Sequence, residues 1–494
     1  MYNIGLDIGS SSIKVAIVNA TTGENILTLH EPPNEMEIIS LHYDWAEQDP
    51  NVWWKHVCTA IKRVIRESNI QASKIMHIGI SYQMHGLVVV DKNGSPLRHA
   101  IIWCDSRAVA IGNKAFDDLG AEKCANHLLN SPGNFTASKL KWVRDREPEV
   151  YKNIYKYMLP GDYIAYKLSG DIRTTKNSLS EGMLWDYKEN KVANWLLEYY
   201  DIDTNLTPEI VENFSNQGKI NEKASKETGL PTGATITYRA GDQPNNALSL
   251  NIFKSGEVAA TGGTSGVLYA ISNSVKSKET SRINNFVHVN YTDQYPILGK
   301  LLCINGAGIQ YRWLRNFSDN LTYENMNAKA SEVPIGSDDL IVIPFGNGAE
   351  RMLENENVGT HFCNLNLNKH NQSHVYRAAL EGIAFSFVYG MEILKNDNTE
   401  IKVIRAGNDN LFRSEIFSNT VATLIEHEIE IYNTTGAVGA ARAAGLIDGD
   451  FEKFGENITK NDHVMTYMPL NNRKPYLAAY QKWKNQLEMI LKHT

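Results

Sequence analysis

Two segments of the chain, separated by about half its length, share one pattern. Residues 4–18 read IGLDIGSSSIKVAIV and residues 257–271 read EVAATGGTSGVLYAI. Each predicts a strand, a turn of glycine and hydroxyl residues, and a second strand, so each is expected to form a hairpin whose turn exposes backbone N–H groups. Aligned, Gly9 meets Gly262 and Ser12 meets Ser265. The repeat predicts two similarly built domains that face each other; chance likeness of two glycine-rich hairpins is the alternative.

The length of the chain agrees with this division. At 494 residues it exceeds what one ordinary core accommodates. We place the junction within 248–255, which gives an N-terminal domain of 1–247 and a C-terminal domain of 248–494. Strand and helix patterns alternate in both, which predicts α/β layers. The predicted helices are 137–145, 162–168, 375–394 and 436–445, and the predicted buried strands are 340–345 and 403–406.

Composition excludes several classes of function. A net charge of −7 leaves no basic excess to neutralise a nucleic acid, so no such partner is expected. Five widely spaced cysteines without a C-x-x-C pair fit neither a disulfide framework nor a zinc site and indicate a reducing compartment. No signal peptide opens the chain and no apolar run is long enough for a membrane helix. We therefore expect a cytoplasmic protein with no membrane partner.

Both repeated turns are candidate phosphate sites. In the first, Asp7 ends a predicted strand before the turn Gly9-Ser10-Ser11-Ser12, where a carboxylate can hold hydrated Mg²⁺ beside phosphate-binding amides. An ordinary hairpin with an exposed aspartate is the alternative. The second turn, residues 261–266, has three glycines that let backbone approach an anion closely. Neither turn is followed by the G-K-[ST] of a Walker A loop.

Asp242 is the candidate catalytic base. It follows Gly241, which leaves room for a substrate, and precedes an asparagine-rich stretch. Phosphoryl transfer to an alcohol requires a carboxylate that orients the hydroxyl and accepts its proton. A turn-forming aspartate is the alternative interpretation of this short motif.

Two further segments predict ligand contacts. A sugar requires paired hydrogen-bonding groups and an apolar wall. In the segments 83–86 (QMHG) and 103–107 (WCDSR), the polar set is His85, Asp105 and Arg107, and the apolar set is Met84 and Trp103. Residues 403–410 (VIRAGNDN) predict a buried strand ending in Gly-Asn, a platform for adenine or ribose. Core side chains and a plain strand-to-helix loop are the respective alternatives.

Together, and in this order, the motifs resemble the FGGY carbohydrate kinases of the actin/hexokinase/Hsp70 superfamily, and among them most closely the xylulose kinases. The likeness extends from Tyr2 to about Leu491. Further segments similar to family signatures are 45–50 (WAEQDP) with Trp53-Trp54, 136–142 (TASKLKW) and 159–163 (LPGDY). Glycerol kinases carry an arginine-bearing sequence where this chain has QMHG, so the sugar side favours ketopentoses.

The resemblance implies an α/β fold of two RNase-H-like domains flanking a cleft, with sugar bound mainly by the N-terminal half and ATP mainly by the C-terminal half. It implies Asp242 as the base, and Asp7 and Asp242 as the residues associated with Mg²⁺. The implied sugar contacts are Met84, His85, Trp103, Asp105, Arg107 and Gln243. The implied ATP contacts are Gly9, Ser10, Ser11, Ser12, Lys14, Gly262, Gly263, Thr264, Ser265, Gly306, Gln310, Gly407 and Asn410. A homodimer is expected from the family alone.

The chain departs from the family pattern mainly in its C-terminal half. Where the family's adenosine motif reads G-G-G-x-x-S, residues 407–412 read GNDNLF, so only the first glycine remains. Where the family has P-Y-x-x-G-E-R-x-P, residues 344–352 read PFGNGAERM, with one extra residue and no closing proline. Gln243 stands where the family often has asparagine, which leaves room for another sugar stereoisomer.

The expected reaction is phosphorylation of the 5-hydroxyl of D-xylulose by ATP, giving D-xylulose 5-phosphate and ADP. A related kinase acting on ribulose, another ketose, a pentitol or a sugar acid is the nearest alternative. A non-catalytic, ATP-binding sugar sensor is the alternative from another class, although a sensor would not need the candidate base.

Overall fold

Two mixed β-sheets organise the chain, one in each half. The structure, a computed structural model, describes residues 1–318, 321–447 and 449–493. The strands of the first half are β1 (Tyr2–Ile8), β2 (Ile13–Asn19), β3 (Asn25–Glu31), β4 (Glu47–Gln48), β5 (Ile75–Tyr82), β6 (Val88–Val90), β7 (Ala100–Ile101), β8 (Lys156–Met158), β9 (Arg173–Thr175), β10 (Trp185–Asp186), β11 (Lys191–Val192), β12 (Glu209–Val211), β13 (Gly218–Lys219) and β14 (Thr235–Gly241). Its helices are α1 (Pro50–Glu67), α2 (Val109–Leu119), α3 (Ala121–His127), α4 (Thr136–Arg146), α5 (Pro148–Tyr151), α6 (Pro160–Ser169), α7 (Lys176–Glu181), α8 (Asn194–Tyr199), α9 (Glu222–Thr228) and α10 (Asp242–Ser249).

The second half continues in the same α/β style. Its strands are β15 (Glu257–Gly262), β16 (Gly266–Ser272), β17 (Asn284–Val287), β18 (Leu298–Ile304), β19 (Ile341–Phe345), β20 (Gly359–Cys363), β21 (Val403–Gly407), β22 (Ile429–Tyr432) and β23 (His463–Tyr467). Its helices are α11 (Gly308–Asn316), α12 (Tyr323–Ser331), α13 (Gln372–Asn396), α14 (Glu415–Ile425), α15 (Gly436–Ala443), α16 (Phe451–Asp462) and α17 (Lys474–Leu491). No described helix has both the length and the apolar character that crossing a bilayer requires.

The two sheets repeat one strand arrangement, as the sequence repeat predicts. The first has the order β13-β14-β5-β1-β2-β3, and the second has the order β17-β18-β16-β15-β21-β22-β23. In each, a hairpin (β1/β2 or β15/β16) is flanked by an antiparallel strand on one side and two parallel strands on the other. The predicted hairpins and helices are confirmed, with ends that differ by at most a few residues.

Helix α1 shows how local sequence directs this packing. Asp49 caps the helix by accepting a 2.9 Å hydrogen bond from the Asn51 N–H, and Pro50 occupies the first turn, where its missing N–H costs nothing. Trp53, Val57, Ile61 and Val64 recur at helical spacing and are buried. This face lies against β2 and β3 and forms part of the N-terminal core.

Helix α15 lies on the sheet of the opposite half. It belongs to the C-terminal segment, yet it packs on β1, β2 and β5. The contact is close because Gly5 and Gly79 face it: a Cβ at Gly5 would overlap the Ala437 carbonyl oxygen, and one at Gly79 would overlap that of Ala440. The expected domain boundary at 247/248 therefore does not separate the helices that pack on the two sheets. Helix α15 follows the boundary in sequence but packs on the first sheet.

Candidate active site

The carboxyl ends of three parallel strands meet at one edge of the first sheet. Strands β1, β5 and β14 are neighbours, and their register pairs Gly241 with Tyr82 and sets Asp7 beside the end of β5. Asp7 is the last residue but one of β1, and residues 83–86 and Asp242 directly follow β5 and β14, so segments distant in sequence meet at this edge. Ligand sites of open α/β sheets form at such edges, so the fold brings the predicted sugar segment and both predicted carboxylates together.

A cavity of about 700 Å³, here called the Asp242 cavity, lies between the two halves. Five of the predicted sugar-site residues line it: Met84, His85, Trp103, Asp242 and Gln243. Residues that carried no sequence prediction of a ligand contact complete its walls: Asn134, Phe135, Val267, Asn284, Cys303, Asn305, Arg351 and Asn355, among others. Amide, guanidinium and aromatic groups thus surround the carboxylate of Asp242, a lining suited to a polyhydroxylated ligand.

The Asp242 carboxylate occupies the first residue of α10. Burial raises its pKa to about 7, and the negative charge of Asp7 contributes in the same direction. The Asp7 carboxylate itself accepts a 2.9 Å hydrogen bond from the Ser81 hydroxyl. A Cβ on the preceding Gly241 would lie 2.5 Å from the Met84 Cγ, so only glycine lets the strand end approach the sugar segment. A carboxylate with a pKa near neutrality is suited to accept a proton from an alcohol.

His85 is held by its neighbours in one tautomer. Its Nδ1–H donates to the main-chain oxygen of Glu181 at 2.8 Å, and the Lys139 ammonium donates to the His85 carbonyl at 3.0 Å. Burial lowers the His85 pKa to about 3, with the charges of Lys139 and Arg351 acting in the same direction. The imidazole is therefore neutral, and its Nε2 is a hydrogen-bond acceptor.

Lys139 gives the TASKLKW segment a structural role. Its ammonium also donates to the Ile102 carbonyl at 2.9 Å, so one buried cation joins the loop carrying Met84 and His85 to the loop carrying Trp103.

Asp105 and Arg107 do not line the Asp242 cavity, and this corrects the prediction for both. Their side chains are 0% and 1% exposed and form a 2.7 Å ion pair. The Arg107 guanidinium also contacts Glu47 at 2.7 Å and lies 3.9 Å from the ring centre of Trp45. The Asp105 carboxylate accepts a 2.6 Å hydrogen bond from the Ala46 N–H. All these polar atoms are engaged within the protein, so the pair supports the loops rather than a sugar.

A second cavity of about 390 Å³, here called the glycine-turn cavity, lies in the C-terminal half. Of the predicted ATP contacts, Gly262, Gly263, Thr264 and Asn410 line it. Its other lining residues were not predicted: Gly308, Tyr311, Arg312, Tyr323, Glu324, Asn327, Leu380, Leu411, Arg413 and Ser414. Ser265 and Gly266, the next residues of the same turn, line the Asp242 cavity. One glycine-rich turn thus forms a wall of both cavities.

The glycine turn is fixed by the first turn of α11. The Gly308 N–H donates to the Gly263 carbonyl, and the Ile309 N–H donates to the Thr264 carbonyl, each at 3.0 Å. A Cβ on Gly308 would overlap the Gly263 carbonyl oxygen, so the approach requires glycine. Gly308 therefore shapes the glycine turn through its backbone.

Three other predicted ATP contacts do not line the glycine-turn cavity. Gly306 packs behind it, where its N–H donates to Glu350 at 3.1 Å and a Cβ would overlap the Pro344 carbonyl oxygen. The buried Gln310 side chain accepts a 2.8 Å hydrogen bond from the Thr360 hydroxyl. Gly407 ends β21 next to Asp409. Contact of these three residues with ATP stays a prediction, and in the structure they shape the backbone that surrounds the cavity.

The first turn borders the cleft without lining either cavity. Its Ser10 carbonyl accepts a 2.7 Å hydrogen bond from the Gln48 amide, and the Ser10 hydroxyl accepts one at 3.4 Å from the Trp103 indole. The Gly9 N–H donates to the Ser12 carbonyl at 3.1 Å. The Ser11 carbonyl likewise accepts a hydrogen bond at 2.8 Å from a loop N–H.

The charge of Lys14, two residues after the first turn, acts on carboxylates of both halves. Its ammonium lies 3.9 Å from Asp7, and its charge acts to lower the pKa values of Asp242 and Asp409, although burial raises both. Because Asp409 belongs to the second sheet's loop, Lys14 is a cation located between the two halves.

Glu181, at the end of α7, is a site residue that the sequence did not single out. It is fully buried, and its Oε1 accepts a 2.9 Å hydrogen bond from the Gly241 N–H. Its main-chain oxygen binds His85. Burial raises its pKa well above the usual range, with the charges of Asp242 and Asp162 adding to the effect. Glu181 therefore contacts both β14, the strand that leads to Asp242, and the segment 83–86.

Glu181→Gln is expected to stabilise the protein increasingly as the pH rises. The unfolded chain releases this proton near pH 4.5 whereas the folded protein retains it, so wild-type stability falls between that pH and the higher folded pKa. Glutamine does not titrate. The unfolding free energy of Glu181→Gln minus that of the wild type should therefore grow by up to about 1.4 kcal/mol for each pH unit of increase. Urea unfolding from pH 5 to pH 8 measures it. The exposed-helix control Glu67→Gln should show a much smaller trend, and a pH-independent difference for Glu181→Gln would contradict a buried neutral acid.

Two cavities that share a glycine-rich turn, one of them lined by a carboxylate, fit a phosphotransferase that acts on a small molecule. Models of the FGGY family of carbohydrate kinases match residues 2–249 (N-terminal domain) and 258–446 (C-terminal domain). The chain belongs to the FGGY family of carbohydrate kinases.

Several curated relatives are similar over nearly their whole length. A xylulose kinase of Staphylococcus xylosus is 29% identical, over 98% of this chain and 99% of its own. A xylulose kinase of Bacillus subtilis is 26% identical, over 98% and 96%. Among solved structures, a xylulose kinase from Rhodospirillum rubrum superposes with a TM-score of 0.88 at 24% identity, over 99% of both chains. The expected two-domain fold is thereby confirmed.

Proposed function

We propose that this kinase transfers the γ-phosphoryl group of ATP to the 5-hydroxyl of D-xylulose, with Asp242 as general base. The observation that carries the proposal is the shared glycine turn: Gly262, Gly263 and Thr264 line one cavity, while Ser265 and Gly266 line the cavity that contains Asp242. A phosphoryl group held at this turn can pass from a nucleotide on one side to a sugar on the other.

In this proposal Asp242 orients the sugar hydroxyl and accepts its proton as the oxygen–phosphorus bond forms. With a pKa of about 7, about half of the Asp242 carboxyl groups are ionised at neutral pH, and the ionised form can accept a proton. Backbone N–H groups of the two turns and the Lys14 ammonium are the groups available to stabilise charge on the transferred phosphoryl oxygens. Closure of the two halves would exclude water from the reaction.

Asp7 and Asp242 are the residues that would hold Mg²⁺. The charge of Asp7 raises the pKa of Asp242, so two carboxylates lie close enough to repel each other, which fits a hard cation. Mg²⁺ typically takes one or two protein carboxylates and completes its shell with water and phosphate oxygens. When bound, the ion would neutralise charge on the phosphates.

The choice of D-xylulose is supported by the relatives' activity and by the QMHG residues Met84 and His85 in the cavity wall. The WAEQDP segment supports it less directly, because its side chains act on structure: the Gln48 amide holds the first turn and Glu47 binds Arg107. A solved gluconate kinase from Lactobacillus acidophilus shares this fold, which alone does not identify a substrate.

A substrate panel tests the proposal. ADP release should be measured with D-xylulose, D-ribulose, L-ribulose, xylitol and D-gluconate, with a no-sugar reaction as the blank. We expect kcat/KM for D-xylulose to exceed that for each other compound by about tenfold or more. A tenfold preference for another compound would reassign the substrate, and absence of sugar-dependent ADP release throughout would favour the sensor.

A further inference from the structure

The C-terminal wall of the Asp242 cavity carries an arginine that the reaction described above does not use. Arg351 begins a short 3₁₀ turn, Arg351–Leu353, and lines the cavity. Among the described residues that line this cavity, it is the one lysine or arginine. Its Nε–H donates to the Ser281 carbonyl at 2.7 Å, which holds the side chain in place.

The Arg351 guanidinium has no acidic partner among the described residues. Burial is the main influence on it and lowers its pKa, and no carboxylate acts on it in the opposite direction. The neighbouring Glu350 is turned into the backbone, where it accepts hydrogen bonds from the Asn305 and Gly306 N–H groups at 2.8 and 3.1 Å. Arg351 is half-buried and forms no ion pair with a described residue, so a ligand that supplies oxygen acceptors would stabilise its charge.

His85 lies on the opposite wall, close enough for the Arg351 charge to influence its titration. Its Nδ1–H is engaged with the Glu181 main chain, which leaves Nε2 as an acceptor. The two walls thus offer a fork of donors from Arg351 and an acceptor from His85. A hydroxyl next to a carbonyl satisfies both, because the carbonyl accepts from arginine and the hydroxyl donates to histidine. A carboxylate accepts hydrogen bonds from the arginine but has no proton to donate to His85, so its oxygen lone pairs would repel the lone pair of Nε2.

We propose that Arg351 is a specificity-determining residue that recognises the α-hydroxyketone end of the sugar. It donates hydrogen bonds to the carbonyl and hydroxyl oxygens of that end, and the Nε2 of the neutral His85 accepts a hydrogen bond from the hydroxyl. The inference rests on the proposed ketose kinase activity. It adds that a residue of the C-terminal half, as well as the N-terminal half, contacts the sugar. It selects a ketose over the corresponding pentitol, which lacks the carbonyl, and over a sugar acid.

The test compares Arg351→Met and Arg351→Lys with the wild type, with Arg66→Met on the exposed face of α1 as the matched control. KM for D-xylulose and for ATP should be measured separately, together with the inhibition constant of xylitol. We expect Arg351→Met to raise the D-xylulose KM about 30-fold, to leave the ATP KM within about twofold, and to abolish the preference for D-xylulose over xylitol. Arg351→Lys, which keeps the charge but loses the fork, should be intermediate.

A second measurement uses the wild-type enzyme and does not depend on the folding of a variant. Modification of Arg351 by phenylglyoxal, followed by peptide mass spectrometry, should be slowed by D-xylulose and much less by xylitol at equal concentration.

An unchanged sugar KM and an unchanged ketose preference in Arg351→Met would overturn the inference while leaving the kinase assignment intact. If Arg351→Met raised only the KM for ATP, the inference would be overturned, and Arg351 would be assigned a contact with the nucleotide phosphates. A wild type that phosphorylates no ketose would overturn the proposed function itself, and the substrate panel detects that without any variant.

Discussion

Asp242→Asn is expected to lower kcat by about a thousandfold or more while leaving ATP affinity within about twofold. Asp242 lines the sugar-side cavity, and no other carboxylate is among the described residues of that lining. Asparagine keeps the size of the side chain but cannot accept the hydroxyl proton. Turnover is measured as sugar-dependent ADP release and ATP affinity by calorimetry. The surface variant Asp201→Asn should retain wild-type turnover.

The pH dependence provides an independent check on the same residue. Because the pKa of Asp242 is raised to about 7, the wild-type rate should fall about tenfold per pH unit below that value as the base becomes protonated. Any residual rate of Asp242→Asn should lack this acid limb. Near-wild-type turnover in Asp242→Asn, or an acid limb that survives the substitution, would remove Asp242 from the role of base.

Gly79→Ala is expected to lower the free energy of unfolding by about 3 kcal/mol. Gly79 lies in β5 beneath α15, and an added Cβ would overlap the Ala440 carbonyl oxygen. Backbone cannot yield as a flexible side chain can, so the helix must shift from the sheet. The helix begins beside Asp7, since a Cβ on Gly436 would lie 2.9 Å from its Oδ2, so turnover should fall as well. Urea unfolding and ADP release measure the two effects.

Gly263→Ala serves as the stability control. The atom nearest to a Cβ there is 3.7 Å away, an ordinary contact, and the substitution should change the unfolding free energy by less than about 1 kcal/mol. Equal effects of the two substitutions would show that the close approach of α15 to the sheet is not the source of the loss at Gly79.

The fold was predictable from sequence because its decisive signal is local and occurs twice. Hairpin alternation around Gly9 and around Gly262 specifies the centre of each sheet. The helical spacing at 375–394 and the small residues at 436–445 likewise match α13 and α15. The partner of α15 was not predictable, because a run of alanines and glycines does not indicate which half's sheet it will cover.

Roles within the site depended on contacts between distant segments, and there the sequence was less informative. Asp105 and Arg107 were predicted beside the sugar, but Glu47 and Trp45 bury them. Glu181 was overlooked because an isolated glutamate in a helix carries no motif, and only its hydrogen bond to Gly241 reveals its position. Arg351 was recognised within a motif, yet its lack of a counter-charge is visible only in three dimensions.

The crossing of α15 has a mechanical consequence. The chain passes between the two sheets three times: before β15, between β22 and α15, and between α15 and α16. These passages lie together, since a Cβ on Gly439 of α15 would overlap the Ser249 hydroxyl and Asn251 contacts Thr459 of α16. Because the three connections lie side by side, we expect the two halves to rotate about the line that joins them more readily than they slide or twist. A ligand in either cavity would then act on the same opening and closing motion.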